Sequence, residues 1–399
     1  MIVNKPLLQE LFRAFHIQRW NDRVRPMELL EMDKHAHKMI IAYCLAKYEE
    51  DEGKKVNWHA IIKGGIYELL RRITLSDMKS PIYNKIKKNK PVFSRLNKYV
   101  FNELEQIIQS EEIKNEIKLY LQNEICEDNL SKRILEAAHI FSSYWEFRII
   151  KLSNPPSYQN IKIETELLNT LDSYKDLAGV SKLTQMHTIT NFVDLFGHLR
   201  FQIRWAQLPR VPKTSVLGHS LMVACTAYFF ARDNDACDKR LFNDFFGGLF
   251  HDLPEAVTRD IISPVKKSSK EFEKLIKDIE KELAEKEIYP LVEKHWRDEI
   301  SYFISDEFDN KIIIKDKLNS DLSVDEINKK YNSDKYNPYD GQLVKAADCL
   351  AAFMEVWNSC RSGITTEELT SAARKIREDE QKIIGKINLK KLYEEFEEV

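Results

Sequence analysis

The sequence predicts an all-α protein, and three observations predict it. Only 11 of the 399 residues are glycine, long stretches rich in Leu, Ile, Glu and Lys repeat apolar residues at helical spacing, and few stretches alternate as a strand would. A hydrophobic content of 43% can fill sizeable cores, and the length suits two domains better than one. Charged residues make up 31% but nearly cancel, to a net charge of -2. That balance excludes the broad positive field that holds long nucleic acid and favours a small-molecule partner. The six cysteines form neither a CxxC pair nor a dense framework, as expected of reduced thiols. The stretch after Met1 lacks a signal-like pattern, and no run approaches the roughly 18 apolar residues of a membrane span. A cytoplasmic chain without a membrane partner is expected, with homodimerisation left open.

Read in order, the chain matches itself. Arg19-Trp20 recurs as Arg204-Trp205 at an offset of 185. Gly64-Gly65, Asp77 and Pro81 recur as Gly247-Gly248, Asp260 and Pro264 at 183. Ala137-Ala138-His139 aligns with Ala346-Ala347-Asp348, and Glu146 with Glu355, at 209. Collinear blocks whose drift is confined to spacers predict a tandem duplication. Asn154-Pro155-Pro156-Ser157 breaks a helix. The expected organisation is therefore a first domain over 1–156, a connecting helical segment over 157–185 and a second domain over 186–399. The second copy carries the longer spacer, a charged helical stretch from Lys266 to Arg297 and a polar segment from Asp306 to Asp340 expected to be loop.

The chemistry centres on the dipeptide His251-Asp252. On a continuous helix His251 and Glu255 share a face, with Asp252 about 100° around it. His219 opens the apolar run Ser220 to Phe230, a candidate buried helix that would hold the imidazole rigidly. Asp348 begins the apolar face of a further helix, where an unpaired carboxylate is costly. Taken singly, His219 suits a core histidine, Asp348 a cap and Glu255 a solvated charge. Taken together, two imidazoles and two carboxylates suit one divalent ion, Mn, Co, Fe, Zn, Ni or Mg. Open positions for a water and a phosphate oxygen then point to phosphoester hydrolysis.

This pattern resembles the HD superfamily of metal-dependent phosphohydrolases, whose ligands run His, His-Asp, Asp, and within it the bacterial 5′-deoxyribonucleotidases. The likeness covers roughly residues 195 to 365 and takes in Arg204-Trp205, His219-Ser220-Leu221, His251-Asp252 with Glu255, Asp260, Ser263 to Lys266, and Lys345 to Asp348. It implies that His219, His251, Asp252 and Asp348 bind the metal, and that Glu255 is the general acid/base with Asp260 orienting. It also implies that Arg204 and Lys266 contact phosphate, and that Trp205 lies against sugar or base, disfavouring a 2′-hydroxyl if it crowds that position. In the first copy Glu68-Leu69 replaces the dyad, Arg72 replaces Glu255 and His139 replaces Asp348. Lys34 falls at the first histidine position, or His35 if one residue is inserted. Leucine cannot ligate and arginine cannot shuttle the proton, so this copy is expected to be degenerate. Alternatives are a three-ligand site of His35, Glu68 and His139, or a regulatory nucleotide site at Arg19 and Trp20. The leading expectation is removal of the 5′-phosphate from deoxyribonucleoside monophosphates. Hydrolysis of dNTPs or of a cyclic or oligonucleotide messenger, and a non-catalytic nucleotide-responsive interaction protein, are the alternatives.

Overall fold

The structure, a computed structural model, describes residues 1–76, 78, 80–122, 129–185, 187–259, 269–380 and 382–398. It is all-α apart from a few short strands, and its contacts divide it into two compact units, Met1–Ser181 and Lys182–Val399. Asp260 and Lys266, with Ser263 to Val265 between them and Asp77 in the first half, lie outside the described residues. Among the described residues no helix is long and apolar enough to cross a membrane.

The first unit contains α1 (Lys5–Phe12), α2 (Glu31–Asp51), α3 (Trp58–Leu75), α4 (Ser80–Lys88), α5 (Lys90–Ile107), α6 (Glu111–Leu121), α7 (Asn129–Ser153) and α8 (Tyr158–Asp172). A last helix, α9 (Ala178–Thr184), runs across the division. Helix α2 is buried almost all round and packs on α7 and α3. A helix without a solvated face belongs at the centre of a unit. The Pro155-Pro156 pair follows the end of α7, and the Ser157 side chain caps α8 by accepting from the Asn160 N–H. Ile163 and Leu167 of α8 then pack on Leu29, Phe147 and Ile150. Most of the segment expected to connect two domains is thus part of the first unit, because α8 has an apolar face that α7 covers.

The second unit contains α10 (Thr188–His198), α11 (Val216–Asp233), α12 (Asp238–Phe250), α13 (Glu255–Thr258), α14 (Lys270–Leu283), α15 (Arg297–Ile304), α16 (Gly341–Arg361), α17 (Glu367–Asp379) and α18 (Leu389–Glu394). Here α11 is central, buried from Val216 to Ala231 and packed on α12 and α16. The segment expected to be loop instead holds β1 (Asn310–Ile314), paired antiparallel with β2 (Lys317–Asn319) and β3 (Tyr339–Asp340). Three consecutive isoleucines, Ile312 to Ile314, supply the β-branched run, and Ile312 is fully buried. Their flanking Asn, Asp and Lys residues hide this in a reading by composition.

Gly248 sets how closely α11 and α12 approach. A β-carbon there would stand 2.9 Å from Ala224 Cα and 3.1 Å from its nitrogen, which is backbone and cannot swing away. At Gly65, in α3, the obstacle is the flexible side chain of Met39. Gly248→Ala is therefore expected to cost about 1–3 kcal/mol, and Gly65→Ala less. Thermal unfolding of the two variants checks the order, and equal melting temperatures would contradict it.

Candidate metal centre

Four segments of the second unit supply the site. His219 lies in the first turn of α11, behind the Ser215 cap, and is fully buried. His251 is the residue on which α12 ends, and Asp252 begins the turn to α13. The continuous helix expected through His251 and Glu255 is absent: Leu253 and Glu255 donate to the carbonyls three residues back, Phe250 and Asp252. Pro254 has no N–H with which to continue α12. The break puts Glu255, only 6% exposed, at the first position of α13. Gln202 fixes this turn by donating to the Glu255 carbonyl (2.8 Å).

The ligand atoms of His219, His251 and Asp252 all lie within 4.8 Å of one another. Ligands about 2.1 Å from one ion stand up to about 4 Å apart, so modest closure brings this trio to bonding distance. Asp348, on α16, joins through His219, its Oδ1 lying 3.0 Å from Nε2, while its Oδ2 accepts from Lys345 Nζ (3.0 Å). The carboxylate thought to be unpaired therefore has two partners. His251 Nδ1 lies 2.8 Å from the Gly248 carbonyl, which orients Nε2 into the site. There Nε2 and Asp252 Oδ2 lie 3.2 Å apart as a close charge pair, both buried and, among the described residues, neither with a well-aligned hydrogen bond. Buried polar atoms left in this way, on residues of the right donor types, fit a divalent cation.

Electrostatics agree. Burial opposes protonation of His251, yet Asp252 beside it outweighs burial and raises the imidazole to about 9. Burial likewise opposes ionisation of Asp252, but His251, His219 and Arg204 bring it down to about 2. Lys345 and His219 hold Asp348 well below the usual carboxylate range against the same burial. Without an ion, a proton takes up part of the negative charge. Because a ligating imidazole must lose that proton, metal affinity is expected to climb about tenfold per pH unit from neutrality and to level off above about 9. Metal titrations between pH 6.5 and 9.5 check this, and an affinity independent of pH would contradict it.

Arg204 and Trp205 are tied down. Arg204 Nε (3.2 Å) and Trp205 Nε1 (2.8 Å) both donate to Glu355 Oε2, and Arg204 Nη1 lies 3.8 Å from Asp252 Oδ2. Glu355 Oε1 accepts from Thr214 Oγ1 (2.9 Å) and lies 3.4 Å from His219 Nδ1. This carboxylate, absent from the residues expected at the site, orders three of them. The signal for it was its recurrence as Glu146 in the internal match. Lys345 was quoted only as a neighbour of Asp348, yet its ammonium, on a side chain 38% exposed, stands 4.1 Å over the Phe308 ring at the edge of the site.

The corresponding residues of the first unit are wired alike but carry other chemistry. Arg19 Nε and Trp20 Nε1 each donate to Glu146 Oε2 (2.8 Å). Trp20 and Trp205 share a left-handed backbone, with φ of 54° and 55°. Lys34 Nζ meets His139 Nδ1 (2.5 Å), and Lys38 Nζ donates to Glu68 Oε2 (2.5 Å). His35 turns away, its Nε2 lying 2.9 Å from the Gly65 carbonyl. The three-ligand arrangement of His35, Glu68 and His139 does not form, because His35 points elsewhere and the Nζ groups of Lys38 and Lys34 occupy Glu68 and His139. Burial, reinforced by Arg19, pushes Lys34 well below the usual lysine range.

Residues 196–377 match the family model of the HD domain. That span contains His219, His251, Asp252, Glu255, Asp348 and Glu355, so the residues converging in space lie inside the matched domain. No curated protein matches the chain.

Proposed function

We propose that the protein is a metal-dependent phosphohydrolase that removes the 5′-phosphate from deoxyribonucleoside monophosphates. The observation that carries this reading is the convergence of His219, His251 and Asp252 inside the matched HD domain. A divalent ion held by these residues and Asp348 would lower the pKa of a bound water and neutralise phosphate charge. Glu255, buried beside the dyad, is the group suited to move a proton to the leaving ribose oxygen. Arg204 keeps its outer guanidinium nitrogen 3.8 Å from Asp252, within reach of a phosphate oxygen in the same place. Trp205, held by Glu355, is a fixed wall against which a sugar without a 2′-hydroxyl packs best. Asp260 and Lys266 keep the roles implied by resemblance, as the orienting carboxylate and a phosphate contact.

The first unit is, in the same reading, a copy without the metal site. The Arg-Trp-Glu wiring supports this, as do matching single bridges, Gln18 to Leu30 and Ile203 to Ser215.

The test is a screen of purified protein against all deoxy- and ribonucleoside mono- and triphosphates with Mn, Co, Mg, Ni and Zn in turn. Inorganic phosphate is expected from the deoxynucleoside monophosphates, with ribonucleotides slower by about tenfold or more. Release of inorganic triphosphate would replace this substrate class with dNTPs, and no product under any metal would defeat the enzyme reading.

A further inference from the structure

We infer that the centre of the first unit is a binding site for a phosphate group, held by the Lys34 ammonium, the Arg72 guanidinium and the Tyr83 hydroxyl. Lys34 is fully buried and, among the described residues, makes a single hydrogen bond, to His139, so its amino group keeps further N–H capacity, and an anion bound there would favour its charged form. Among the described residues Arg72 Nε is buried without a hydrogen-bond partner, and the contacts of its terminal nitrogens, to the Met78 carbonyl (3.3 Å) and Glu31 Oε2 (3.4 Å), are long. The buried Tyr83 hydroxyl likewise has no hydrogen-bond partner among the described residues, and Arg71, Glu68 and Arg72 are the charges that act on it. These groups all offer hydrogens. Most nearby carboxylate oxygens are already engaged, Glu146 by Arg19 and Trp20, Glu68 by Lys38, and Glu31 Oε2 by Arg19 and Arg72; Glu31 Oε1, 4.0 Å from His35 Nδ1, is the buried acceptor left without a hydrogen bond among the described residues.

What such a cluster lacks is a compact, acceptor-rich anion, and phosphate presents several oxygens to guanidinium and ammonium donors at once. The side chains of Glu68 and His139, 19% and 27% exposed, mark where the cluster meets solvent. Arg19 and Trp20, the contacts expected from sequence, are closed to such a ligand by Glu146. The charge pattern inverts that of the second unit: Lys34 stands where His219 does, and Arg72 where Glu255 does. A site that takes a cation in one unit takes an anion in the other. This inference rests on the cluster itself and holds whether or not the second unit is a nucleotidase.

The test uses the full-length Asp252→Asn chain, whose second-unit centre is disabled, titrated with inorganic phosphate by calorimetry. Saturable binding is expected, weakened by about tenfold or more when Lys34→Met or Arg72→Gln is added, since each removes a charge-assisted hydrogen bond. Tyr83→Phe should weaken it less, and it remains informative if the charge variants fail to fold. A deoxynucleoside monophosphate should compete with phosphate while the unphosphorylated nucleoside should not. Absence of binding in the Asp252→Asn chain, binding indifferent to all three substitutions, or equal competition by the nucleoside would each overturn the inference. Turnover by the wild-type chain is read separately, so failure here leaves the phosphohydrolase reading standing.

Discussion

Asp252→Asn is expected to keep the helices and lose the metal and turnover together. The substitution preserves volume and exchanges a carboxylate for an amide in a turn whose backbone bonds do not involve the side chain. A neutral amide is a poor ligand for a hard cation, and it withdraws the charge that lifts His251 to about 9. Losing a metal-assisted step forfeits several kcal/mol of transition-state stabilisation, so kcat should fall by about a thousandfold or more. Asp348→Asn should act similarly while also releasing Lys345 and His219. Metal content by elemental analysis, helicity by circular dichroism and phosphate release together make the test. A variant that retains both metal and wild-type turnover would remove Asp252 from the site.

The largest loss of stability is expected at Glu355. It is fully buried, and Arg204, foremost among its partners, holds its carboxyl far below the ordinary range against burial. Glu355→Ala would leave the buried Arg204 cation without its main counter-charge and free Trp205, Thr214 and His219 from their shared acceptor. Breaking a buried pair by removing one partner costs about 3–5 kcal/mol, on the order of 10 °C in melting temperature for a unit of this size. Glu355→Gln keeps the shape and one acceptor, so it should lose less stability but still lower kcat/KM by loosening Arg204. If Glu355→Ala melted like the wild type, the carboxylate would not be the organising group of this site.

Much of this site is visible in the sequence because its residues are chemically unusual where they stand. A histidine inside an apolar run and an aspartate opening another need a reason, and the His-Asp dipeptide with a nearby glutamate supplies one. The geometry of the dyad is less visible, since a pattern of four suggests one helix while Pro254 ends it and makes a turn. The β1 strand is hidden by the polar residues on either side of three isoleucines. The Lys34 or His35 ambiguity cannot be settled by counting, because one inserted residue changes the answer. In three dimensions Lys34 faces His139 and His35 faces Gly65. Glu355 was in view as an aligned letter, but its role depends on donors some 150 positions earlier.

That separation bears on how the protein is made. Trp205 and Glu355 are 150 residues apart in the chain, and His219 and Asp348 are 129 apart. A ribosome that has passed the turn after α12 has produced both histidines and Asp252 but neither Glu355, the anchor for Arg204, nor Asp348. Closing such distant contacts is slow and comes late. Until α16 emerges, the growing polypeptide carries imidazoles and a carboxylate without the partners that hold them in place, so capture of an ion by the proposed centre is expected to follow completion of the domain rather than to initiate it.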